Sequence, residues 1–153
     1  MNSFRNWILL FILSTLFSSC KQNILESNKK LENRIYYQIA SQSKILDLSS
    51  LIDIKWDNLL ILAPYTNLKK DEAKLGIDLG SVQSTLIESR EDICVIAFLL
   101  NKKVIAIVEY PRNKGDFADN ELELIKKNEA TFEILNSLQK TLDSKHVVVF
   151  SKK

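Results

Sequence analysis

Two apolar runs joined by a short polar turn limit this chain more than any other feature. In ICVIAFLLNKKVIAIVEYP, residues 93–100 and 104–110 flank Asn101-Lys102. Such runs, rich in Val and Ile, form strands, and Asn tolerates the left-handed backbone that a two-residue hairpin turn requires. Lys102 stands where glycine is ideal, so a three-residue loop also fits the pattern. Neither run alternates between apolar and polar residues as a strand with one wet face does. The hairpin is therefore expected in the middle of a sheet, with cover on both faces from helices, long loops or a partner.

The remaining segments build around it. Leu31, Ile35 and Ile39 recur at helical spacing among polar residues, which predicts a helix of about four turns whose apolar face Tyr36 and Tyr37 widen. IDIKWDNLLILAPY alternates at Ile52, Ile54 and Trp56, then runs apolar over 59–63. It reads as one strand, bulged near Asp57-Asn58 and ended by Pro64. Asn67 suits the start of a short helix and Gly76 its end. Residues 78–92 are polar without a period and read as a loop, mobile or disordered. In RNKGDFADNE, a loop turning at Gly115, Asn120 with Glu123 has the pattern of a capping box for another short helix. ATFEI alternates as a strand over 130–135, although Phe132, Leu135, Leu138 and Leu142 also suit a helix. HVVVF, residues 146–150, is a last strand before a frayed Ser151-Lys152-Lys153 end. Consecutive strands pointing back and forth predict an α+β domain: a small antiparallel sheet of about five strands, an N-terminal helix and one or two short helices.

Several chemistries are excluded by what the chain lacks. Its 21 basic and 19 acidic residues are too evenly matched to recruit nucleic acid. Cys94 and His146 form the one Cys–His combination available besides Cys20, and both sit in or beside predicted core strands, where a thiol nucleophile is out of place. Structural metal sites draw on about four Cys or His ligands, more than remain. ESRED is interrupted by Arg90 and is followed by no calcium loop. Three isolated glycines cannot cradle a phosphate. No metal and no cofactor is expected, and no catalytic group stands out. Binding is better supported. Trp56, Tyr65, Tyr110, Arg112 and Lys114 lie at strand ends and in adjoining loops, the composition of interface hot spots. APYTN and EYPRNKGDF each place Tyr beside Pro at a strand exit, so the two tips could converge at one edge of the sheet. The alternative is that these rings simply close the hydrophobic layer.

The amino terminus suggests where such a domain works. Arg5 precedes residues 7–17, in which only Ser14 and Thr15 interrupt large apolar side chains. A spanning helix needs about 20 apolar residues, so this segment reads as a signal peptide. LFSSC, residues 16–20, resembles the lipobox of bacterial lipoproteins: apolar, small, small, cysteine, with Phe17 where leucine is commonest. The resemblance implies cleavage after residue 19 and a diacylglyceryl group on the thiol of Cys20, which would fix the chain to a membrane. Lys21 rather than Asp follows the cysteine, which in that family points to the outer membrane, facing the periplasm. WDNLLILAPYTN and EYPRNKGDF also resemble motifs of small uncharacterised Gram-negative lipoproteins. The expected organisation is a signal peptide over 1–19, a lipidated tether over 20–28 and one α+β domain over 29–153. The expected role is a non-enzymatic binding or structural module that meets another envelope protein or a cell-wall component. Its alternatives are an immunity or inhibitor protein against a toxin or hydrolase, and a small hydrolase.

Overall fold

Asn101 and Lys102 both adopt positive φ, 51° and 64°, in the computed structural model of the chain. That is the backbone of a two-residue turn whose twist matches its flanking strands. β3 (Ile93–Leu100) and β4 (Lys103–Pro111) consequently pair antiparallel from Leu100 opposite Lys103 to Ile93 opposite Pro111. Between Phe98 and Leu99 the register shifts, leaving Ile105 as the extra residue of a β-bulge. The structure describes residues 25–41, 43–117, 122–136 and 148–152. The signal segment, Cys20, Asn120, Leu138, Leu142 and His146 lie outside them.

Among the described residues seven strands divide between two antiparallel sheets, where about five in one sheet were expected. The larger has the order β4-β3-β2-β5, with β2 at Asn58–Leu62 and β5 at Ile125–Lys126. The smaller has the order β1-β6-β7, formed by Ile45–Asp47, Thr131–Asn136 and Val148–Lys152. The α+β class therefore stands, and the strand expected over 130–135 forms at Thr131–Asn136. Ser151 and Lys152 are paired opposite Glu133 and Phe132, so β7 runs on where fraying was expected.

Side chains of the central strands alternate between two cores. Leu59, Ile61, Cys94, Ile96, Phe98, Val108 and Tyr110 point to one, and Leu60, Leu62, Val95, Ala97, Leu99 and Ile107 to the other. Cover on both faces explains why neither run alternates in polarity. The first face is covered by the smaller sheet, through Leu46 and Phe132, and by α1 (Lys29–Ala40), through Leu31 and Ile35. Phe117 stands between the layers, its ring edge-on to Tyr110 at 5.6 Å and to Phe132 at 5.8 Å. Tyr37 does not widen the α1 face and is 70% exposed. Each helical residue turns about 100°, which carries position 37 away from the side set by Ile35.

Three further expectations are corrected. Residues 52–57 are not strand: Ile52 and Trp56 drop into the core from an unpaired segment while Ile54 stays exposed. Arg34 of α1 holds that segment by donating to the Leu51 carbonyl at 2.7 Å and to Asp53. Residues 78–92 are an ordered lid over the second face, made of 3-10 turns at Gly80–Thr85 and Ile87–Ser89 with Leu79, Val82 and Ile87 fully buried. No α-helix follows position 120 within the described residues, where Ile125 and Lys126 pair with β2 and a single 3-10 turn follows at Lys127–Glu129. α2 (Leu68–Leu75) forms as expected, capped by the Asn67 side chain on the Lys70 amide and closed by left-handed Gly76. No helix among the described residues is long and apolar enough to cross a membrane.

Residues 25–28, expected as the end of the tether, lie along the outer edge of β4. Ser27 pairs parallel with Ile107, the Asn28 amide donates to the Ile107 carbonyl at 2.9 Å, and Leu25 packs into the second core. Asn28 then caps α1 through its side chain.

Candidate functional site

β2 ends, β3 begins and β4 ends at one end of the larger sheet, so three loops meet there. Tyr65 follows Pro64 in the first loop and Leu86 lies between the 3-10 turns in the second. Both have left-handed backbones, with φ of 60° and 55°. Bulky residues seldom adopt this conformation, at a cost of order 1–3 kcal/mol each. The Tyr65 amide donates to the Ile87 carbonyl at 3.0 Å, which locks the two loops together. Their side chains nonetheless turn outward, 60% exposed for Tyr65 and 64% for Leu86.

Ionic contacts surround this corner and set its shape. The Tyr65 hydroxyl donates to Glu91 at 3.0 Å, and that hydrogen bond to a carboxylate raises the phenol above its ordinary range. Arg112 donates to the Glu91 carbonyl at 3.0 Å and clasps Asp116 through Nε and Nη2. Arg90 forms a two-pronged pair with Asp92, at 2.9 and 2.6 Å, and reaches Glu109 at 2.7 Å. The Asp92 hydrogen bond leads in raising this guanidinium above its usual value, and the same contact lowers Asp92. Glu88 accepts from the Leu68 amide at the start of α2. The arginines thus brace the loops from beneath while Tyr65 and Leu86 remain uncovered.

The sequence-derived candidates separate into three places. Tyr65 and Arg112 do converge, through Glu91. Tyr110 is fully buried, with its hydroxyl 3.4 Å from the Lys114 carbonyl, and burial pushes its phenol up. It closes the hydrophobic layer. Lys114 pairs with Glu32 at 3.0 Å beneath α1 and lies over the Tyr36 ring. Burial alone would raise the Glu32 carboxyl, but Lys29 and Lys114 outweigh it and hold the group below its usual range. Trp56 sits at the opposite end of the sheet, buried edge-on against Phe98 with the Lys127 ammonium over its ring. Leu86 is the residue that sequence reasoning missed. A leucine in a polar stretch reads as filler, and nothing in its neighbours announces a left-handed backbone.

Cys94 is buried, and loss of solvent pushes its thiol up to about 12, so it is a protonated core side chain at neutral pH. Among the described residues no three His, Cys, Asp or Glu side chains gather as a metal site would require. No protein-family model, curated protein or solved structure matches this chain.

Proposed function

We propose that this chain is a lipid-anchored envelope protein whose domain binds a partner, without catalysis, through the Tyr65–Leu86 corner. The binding reading is carried by one observation: two large side chains with left-handed backbones, joined across loops, are held out in water. Local strain of this kind persists only where the surrounding structure enforces it, and it concentrates at functional surfaces. The anchor reading is carried by the lipobox-like residues 16–20. A narrower form of the proposal, an immunity or inhibitor protein, would use the same projecting pair to plug a toxin or hydrolase.

The test is affinity capture by the acylated protein from detergent-solubilised envelopes, beside a Tyr65→Ala/Leu86→Ala variant of unimpaired thermal stability. Wild type should retain one stoichiometric protein that the variant loses. Equal capture by both would move the contact elsewhere, and no stoichiometric partner would remove the binding reading. Separately, Cys20→Ala should abolish palmitate labelling and release the chain from membranes.

A further inference from the structure

The path by which the chain joins the fold has a direction. Ser27 lies parallel to Ile107, so from Ser27 back to Leu25 the described backbone heads along β4 towards the hairpin end. Leu25 is fixed there too, its carbonyl accepting from the Ser84 hydroxyl at 3.3 Å. Cys20 lies five Cα-to-Cα steps before Leu25, a reach of at most about 18 Å. The six residue-to-residue steps of strand from about Ile105 to Pro111 extend roughly 20 Å. A lipid on Cys20 can therefore hold the hairpin end at a bilayer, but has no slack to bring the opposite end down.

Charge follows the same axis. Lys55, Lys102, Lys103 and Lys126 are exposed at the hairpin end, with Lys127 half-buried beside them. Four acids accompany them among the described residues, each already engaged. Asp57 accepts from Asn58 and from the Asn101 amide, Glu72 from the Leu79 amide, Asp78 from the Gly80 amide, and Glu129 lies 3.8 Å from Lys126. At the other end, where the Leu68 amide bonds Glu88, the acids Asp71, Glu88, Glu91, Asp92, Glu109 and Asp116 outnumber the bases Lys69, Lys70, Arg90, Arg112 and Lys114 by one. Lys102 adds a second kind of observation. It holds a left-handed turn position where glycine is easiest, so a cation is kept at local cost. An open groove of about 750 Å³ beside Lys126 and Lys127, with Ser49, Asp57, Asn58 and Asn128 on its walls, leaves room for phosphate-bearing groups, the Asp57 carboxylate being held by Asn58 and the Asn101 amide.

We propose that the hairpin end is the membrane-proximal face of the domain, its lysines meeting anionic phospholipid headgroups, while the Tyr65–Leu86 corner faces away from the bilayer. This orientation rests on the lipid-anchor reading. Lysines beside an anionic surface add attraction that decays within a Debye length, so the contact is sensitive to lipid charge and salt.

Full-length acylated protein carrying Lys103→Cys or Asn113→Cys, each with a fluorophore on the new thiol, tests it in phosphatidylcholine vesicles containing a headgroup nitroxide. Cys94 is buried and stays unlabelled. The fluorophore at 103 should be quenched several-fold more than that at 113, and more strongly when phosphatidylglycerol is added. Adding Lys55→Glu and Lys126→Glu, which leave Lys127 on Trp56, should remove the phosphatidylglycerol effect. Equal or reversed quenching on floated, acylated protein would overturn the orientation alone. A phosphatidylglycerol response that survives the two glutamates would overturn the role of the lysines. Wild type that neither floats nor carries lipid mass would overturn the anchor reading and the orientation with it.

Discussion

Glu32 shows how one buried carboxylate can tie a helix to a distant loop. Its oxygens accept from Lys29 at 2.8 Å and Lys114 at 3.0 Å, linking the first turn of α1 to the segment after β4. Hydrogen bonds to charged groups contribute about 1.5–3 kcal/mol, so Glu32→Gln should destabilise the fold by about 2 kcal/mol at pH 7. The pH dependence has a definite sign. A carboxyl lowered in the fold contributes fully above its unfolded value, and that contribution is lost as pH falls through the lower folded value. Urea titrations should thus show the gap between wild type and Glu32→Gln narrowing below the ordinary carboxylate range. A gap constant down to pH 2 would mean that the pair contributes through packing alone.

At the level of elements, the hairpin was readable because every local signal agreed: two Val- and Ile-rich runs, a compatible Asn, and no polar alternation. Asn67 and Gly76 bounded α2 for the same reason, each serving a backbone need visible in its own chemistry. Residues 78–92 were not readable. Their 3-10 turns bury Leu79, Val82 and Ile87 at irregular spacing, which no helical or strand period detects. The segment before β2 misled in the opposite way, since Ile52 and Trp56 are core anchors whose spacing imitates a strand. The turn allows a quantitative check. Relief of left-handed strand-turn geometry at Lys102 should let Lys102→Gly stabilise the domain by about 0.5–1 kcal/mol, after the entropy of the added glycine is subtracted. A higher urea midpoint with an unchanged slope would record it.

For the whole molecule, the decisive arrangement is a sheet buried on both faces and joined to a second sheet through Phe117. Its ring touches both Tyr110 of the larger sheet and Phe132 of the smaller. Phe117→Ala should cost about 4 kcal/mol, the usual range for an emptied aromatic site. Loss should appear as one cooperative transition at a lower midpoint; two separated transitions would mean that the sheets fold independently. The sequence implied the two-sided cover of the hairpin, while the division into two sheets depended on long-range pairing that no local pattern encodes. The candidate corner was half legible: Tyr65 and Arg112 were marked by residue type, but their meeting at Glu91 and the projection of Leu86 are products of loop geometry.

Residues 25–28 also act as a seal. Bonded to Ile107 on one side of β4, they occupy backbone groups that would otherwise invite pairing with a foreign strand. A polypeptide begun at Lys29 should therefore associate with itself as its concentration rises, a tendency that light scattering would report and that the full chain should lack. The few residues that precede α1 would then protect the molecule against its own aggregation.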